Sequence, residues 1–124
     1  MKPRKTLQEL GRRVYSRGYA LAGKLTVTRW RRFLVELAEL IGMEPVADAA
    51  TWQFPIAGKG GYGYTIVQPI TESFLALDTW PDHDGAYLFI VSCRPFASDK
   101  VDKAAVKFGL ELESMTAPSA LALW

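Results

Sequence analysis

The run Ala86-Tyr87-Leu88-Phe89-Ile90-Val91-Ser92-Cys93 constrains the fold of this chain more than any other segment, because apolar residues stand at successive positions and only Ser92 interrupts them. A strand with one wet face alternates apolar and polar side chains, so an unbroken apolar strand is expected where both faces are covered. Helices supply one cover, and a second copy of the chain is the expected source of the other. Phe74 to Trp80 reads as the preceding strand. Pro81-Asp82-His83-Asp84-Gly85 marks a turn between the two, so they form an antiparallel hairpin.

The remaining elements arrange themselves around that hairpin. Tyr19-Ala20-Leu21-Ala22 reads as a first strand ending at Gly23. A helix follows, with Thr28 as its expected N-cap, an apolar stripe at Trp30, Phe33, Leu34, Leu37, Leu40 and Ile41, and Gly42 as its stop. Thr51 to Phe54 reads as a short strand kept at an edge by Pro55. The glycine-rich stretch Gly58-Lys59-Gly60-Gly61-Tyr62-Gly63 lacks the Gly-Lys-Ser/Thr ending of a phosphate loop and precedes the β-rich segment Tyr64 to Ile70, so it reads as a turn or bulge. Ser98 is the expected cap of a second helix carrying Val101, Ala104, Ala105 and Phe108 on one face, and Leu110 to Leu112 reads as a last short strand. The predicted fold class is α+β: a two-layer sandwich of a mainly antiparallel sheet with two helices on one face, the sheet completed by dimer packing. Residues 1–17 read as a basic N-terminal arm with a short helix at Leu7, Leu10 and Val14, and residues 18–124 as a single domain.

Charge and composition exclude several functions. Residues 1–32 hold ten of the fifteen Lys and Arg against the single acid Glu9, so this part carries +9 and the remainder −7. Such a basic face either lies against acidic surface of the same or a neighbouring subunit, or contacts nucleic acid or an anionic membrane. The first reading is favoured, since no stacking platform or nucleic-acid motif accompanies the charge. The longest stretch without a charged residue, Gly60 to Thr71, is far shorter than the run of roughly 20 apolar residues that crosses a bilayer. No apolar core follows the basic start, so no secretory signal is expected and the protein is expected in the cytoplasm. With one cysteine, Cys93, and one histidine, His83, no intrachain disulfide and no Cys/His zinc site are expected.

The chemistry concentrates in residues 63–93. Glu72-Ser73, then Asp78-Thr79-Trp80-Pro81-Asp82, then Cys93 at the end of an apolar strand resembles the processing and catalytic segment of bacterial and archaeal S-adenosylmethionine decarboxylases. That segment reads Glu-Ser-His, three residues, His-Thr-Trp-Pro-Glu, and after a short hairpin an apolar strand ending in cysteine. The spacing is matched without a gap, and the order of elements is similar over most of residues 18–115. The resemblance implies a self-cleaving enzyme of spermidine synthesis that needs no external cofactor. Ser73 would attack the carbonyl of Glu72, the resulting ester would eliminate, and residue 73 would be left as a pyruvoyl group. That group would take the substrate amine as a Schiff base and accept electrons as carbon dioxide leaves.

By the same resemblance Cys93 is the proton donor to the substrate α-carbon, Thr65 a hydroxyl assisting cleavage, and Asp82 the acceptor for the ribose hydroxyls of the substrate. Read alone, Cys93 is an ordinary buried small side chain, Thr65 a strand threonine and Asp82 a turn aspartate. The hairpin turn makes Ser73 and Cys93 cross-strand neighbours. Asp78 stands where the family has its processing histidine, Phe74 where a second histidine follows the serine, and Lys59 near the aromatic that stacks on adenine, a part that Trp52, Phe54 or Tyr62 could take. A carboxylate such as Asp78 accepts a proton but returns one only when its ionisation is suppressed by burial. Two alternatives stand beside S-adenosylmethionine decarboxylation: the same chemistry on ornithine or arginine, and an unprocessed relative that serves as a binding or regulatory subunit.

Overall fold

The computed structural model describes residues 9, 11, 13–56, 58, 61–80, 84–114 and 119–122. The elements run β1 (Arg13–Ala22), α1 (Val27–Leu40), β2 (Ala50–Pro55), β3 (Tyr62–Ile70), β4 (Ser73–Thr79), β5 (Gly85–Ser92), α2 (Ser98–Lys107), β6 (Glu111–Ser114) and β7 (Ser119–Ala122). The strands form one seven-stranded sheet in the order β2-β3-β4-β5-β1-β6, with β7 also pairing β1. Every pairing is antiparallel. The architecture is α+β, as expected, and β2 lies at an edge.

Several boundaries differ from the sequence expectation. β1 begins at Arg13, six positions ahead of the strand expected at Tyr19, because Arg13 to Ser16 pair with β7. That last strand carries Ser, Ala and Leu and gave no β signal. The N-cap of α1 is Thr26, whose hydroxyl accepts from the Arg29 amide at 3.2 Å, and not Thr28. The N-cap of α2 is Ala97, which makes no side-chain cap bond, so Ser98 is the first helical residue.

One face of the sheet is covered by the helices. Leu75 and Leu77 of β4, Leu88 and Ile90 of β5, and Phe33 and Leu37 of α1 lie fully buried in that layer. Phe33 meets Phe108, beyond the end of α2, edge to face at 5.5 Å, and Trp30 at 6.1 Å. Such pairs add stabilisation to the burial itself. The arginines of α1 are engaged within the chain: Arg29 lies over the Phe108 ring at 5.1 Å, Arg31 donates to the Ala49 carbonyl at 3.1 Å, and Arg32 pairs with Glu36 at 3.7 Å. Of these three arginines only Arg32 meets an acidic side chain among the described residues. Lys2, Arg4, Lys5 and Arg12 lie outside the described residues.

The other face is open. Cross-strand partners share a face, and the register places Trp52, Thr65, Asp78 and Tyr87 in one row across it, with Val67, Ala76 and Phe89 in the next. Trp52, Phe74, Tyr87 and Phe89 are all exposed there. Within one chain β5 is therefore buried on one face and apolar but uncovered on the other. No helix among the described residues is long and apolar enough to cross a membrane.

Candidate active site

The tightest connection in the sheet carries the candidate chemistry. β3 and β4 pair as far as Ile70 and Ser73, so only Thr71 and Glu72 turn the chain. Glu72 sits at φ 58, the one non-glycine in the left-handed region among the described residues. That conformation costs an L-residue roughly 1–2 kcal/mol and must be held by its surroundings. The hold is visible on the Thr71 side. The Thr71 amide and hydroxyl both donate to the Glu44 carbonyl, at 3.0 and 3.3 Å, and Pro45 bridges to Ile70. Gln68, buried, donates from Nε2 to the Ala47 carbonyl at 2.9 Å and fastens the same connection to β3.

Cys93 comes to this turn from the end of β5. Ser92 is buried, and its hydroxyl donates to the Arg94 carbonyl at 2.7 Å and accepts from the Arg94 amide at 3.0 Å. That local loop turns the chain off the ladder at residue 93. The Cys93 amide then donates to Ser73 Oγ at 3.2 Å, and its Sγ to Glu72 Oε2 at 3.2 Å. Glu72, Ser73 and Cys93 are thus brought together, as the hairpin spacing predicts for the serine and the cysteine. Ser92 and Glu44, which set the geometry, were not among the candidate site residues read from the sequence. The signal for Ser92 was the lone polar residue in an apolar run.

Thr65 and Asp78 are not part of that cluster. The Thr65 hydroxyl donates to Asp78 Oδ1 across the β3–β4 ladder. Asp78 is five residues beyond Ser73, about 16 Å at the rise of an extended strand, and the alternation of side chains puts it on the open face. It is exposed. Asp82, His83 and Lys59 lie outside the described residues. A cavity of about 780 Å³ lies at the Thr79 end of β4, away from Ser73, with Trp30, Tyr62, Tyr64 and Trp80 among its walls. No cluster of three or more His, Cys, Asp or Glu suited to a metal occurs among the described residues.

The architecture is that of an adenosylmethionine decarboxylase. The crystal structure of that enzyme from Aquifex aeolicus matches with a TM-score of 0.61 over 97% of this chain and 92% of its own, at 16% identity, a likeness of fold. The sequence model of the S-adenosylmethionine decarboxylase family matches residues 25–117, so the chain belongs to that family. The arginine decarboxylase proenzyme of Pyrobaculum arsenaticum is 30% identical over 88 residues. That match takes in 68% of this chain but only 62% of the relative's length. The family and both relatives are decarboxylases by name.

Proposed function

We propose that this protein is a self-processing decarboxylase which cuts its own chain between Glu72 and Ser73. The observation that carries this is the Glu72-Ser73-Cys93 cluster: a strained glutamate at φ 58 stands directly ahead of a serine whose Oγ is fixed by the Cys93 amide. Attack of Ser73 Oγ on the Glu72 carbonyl carbon turns the amide into an ester. Elimination then frees Glu72 as a new carboxylate and leaves residue 73 as a dehydroalanine, which takes up water and loses ammonia to become a pyruvoyl terminus. Cleavage also lets Glu72 leave its left-handed conformation, which favours the cut state.

The residues present fit that group. Ser73 is the residue from which it forms, its hydroxyl oxygen leaving with Glu72, and Cys93 stands beside it. Bound to a substrate amine, a pyruvoyl carbonyl withdraws the electron pair left when carbon dioxide departs. The part of Cys93 Sγ would be to hold a proton at the α-carbon position.

Thr65 and Asp78 of the same copy are too far from Ser73 for proton transfer. On this reading they serve a second copy, whose two-residue β3–β4 turn is brought against the open face, and such a dimer would also cover the aromatic rows. The substrate proposed is an α-amino acid with a cationic side chain, a class that takes in S-adenosylmethionine, arginine and ornithine. Exposed aromatic faces beside the Asp78 carboxylate support a cation there, and the name of the Pyrobaculum relative favours arginine among the three.

The test is the intact mass of the purified protein. Fragments 1–72 and 73–124, the second with a blocked start, are expected, and Ser73→Ala should give the full-length chain alone. A single full-length species after prolonged incubation of the unaltered protein would overturn the proposal and leave the unprocessed binding subunit. Replacement of Asp78 by His is expected to speed cleavage. Release of labelled carbon dioxide from the three amino acids then identifies the substrate.

A further inference from the structure

The contact between Cys93 and Glu72 has no part in the cleavage chemistry, and it occupies the thiol that the decarboxylation step needs. Cys93 Sγ donates to Glu72 Oε2 at 3.2 Å, so the thiol hydrogen is committed to that carboxylate. Glu72 reaches it only through its left-handed backbone, which the two-residue turn imposes. Upstream, the last anchor of the chain is Thr71, tied twice to the Glu44 carbonyl. Glu72 is therefore the single residue between that anchor and the bond that is cut.

We infer that Glu72 caps Cys93 in the uncut chain and that cleavage removes the cap. The inference rests on the proposed cut between Glu72 and Ser73. Once that bond breaks, Glu72 is a chain terminus with no turn to hold it at positive φ, whereas Thr71 stays on Glu44. The carboxylate swings out, the thiol loses its acceptor, and Cys93 becomes available in the event that creates its reaction partner at residue 73. Before the cut, the half-buried Cys93, the chain's only cysteine, is expected to alkylate more slowly than after it. Glu72 thereby acts as a positioning residue for Cys93, in addition to its place at the scissile bond.

The experiment reads the alkylation rate of Cys93 by iodoacetamide at fixed pH, each variant normalised to its denatured form. With one cysteine in the chain, mass spectrometry reports that site alone. The comparison is made in the Ser73→Ala chain, which stays uncut, with and without Glu72→Ala. Alanine is no easier than glutamate at positive φ, so the backbone demand is unchanged. Glu72→Ala is expected to raise the rate about tenfold, the factor for losing one hydrogen bond to a charged group. Glu72→Gln, which keeps the shape and a weaker acceptor, should fall between the two. The cleaved protein should match the Glu72→Ala rate. Equal rates for Ser73→Ala with and without Glu72→Ala would overturn the cap. Should Glu72→Ala perturb the turn, the Glu72→Gln rate decides alone, equality with the parent again overturning the cap. Absence of fragments from the unaltered protein would instead overturn the cleavage, a result read separately by intact mass.

Discussion

Replacement of Phe89 by alanine tests whether the open face of the sheet is an interface between two copies. Phe89 lies in the middle of β5 and leaves 44% of its surface exposed within one chain. A phenylalanine presents roughly 200 Å², so about 90 Å² of apolar ring awaits a cover. At about 25 cal/mol per Å² its burial is worth about 2 kcal/mol per copy, and a two-fold interface uses the residue twice, giving about 4 kcal/mol. Phe89→Ala should therefore raise the dimer dissociation constant about a thousandfold. A dilution series followed by sedimentation velocity measures it. Val106→Ala is the control: Val106 is 75% exposed on α2, on the opposite side of the sheet, and its removal should leave association unchanged. A monomeric parent at high micromolar concentration, or equal dissociation constants for the two variants, would refute the reasoning.

Two further outcomes concern the fold. Gly85→Ala would bring a Cβ to 2.5 Å from the Leu21 carbonyl oxygen and 2.7 Å from the Trp80 ring, so β5 must part from β1; a loss of about 1–3 kcal/mol in urea unfolding is expected, and an unchanged midpoint would contradict that contact. Thr26→Ala should cost about 1 kcal/mol as a lost helix cap, whereas Thr28→Ala, inside the first turn and exposed, should be neutral or slightly stabilising; the reverse order of melting temperatures would return the cap to Thr28.

The β4–β5 hairpin was legible because each of its signals agreed: two β-rich runs, a turn rich in Pro, Asp and Gly between them, and a spacing that carries Ser73 to Cys93. Thr26 and Thr28 illustrate a different situation. Both can cap a helix, and the choice falls on Thr26 because its hydroxyl meets the Arg29 amide, a matter of local geometry invisible to residue type. β1 was read short because Arg13 to Arg17 owe their extended form to partners, β5 on one side and β7 on the other. The apolar run of β5 led to the expectation of two covered faces; the single chain covers one of them and leaves Tyr87 and Phe89 exposed on the other. At the site, the nearness of Ser73 and Cys93 followed from the hairpin spacing, but the Glu72–Cys93 contact depends on a positive φ that a glutamate does not advertise. The distance of Asp78 from Ser73 was present in the count of residues along β4 and became meaningful only once the strand was known to run unbroken between them.

The sheet order has a consequence for a chain cut at residue 72. β1, β2 and β3 would belong to one peptide and β4, β5, β6 and β7 to the other, so that across the sheet the ownership of strands runs first, first, second, second, first, second. The core is divided in the same way, with Phe33 of the first peptide against Phe108 of the second. Neither piece has a hydrophobic layer of its own to close. The nicked molecule would be a split protein with interleaved halves, able to part only by unfolding, and each half made alone would need the other as its folding template.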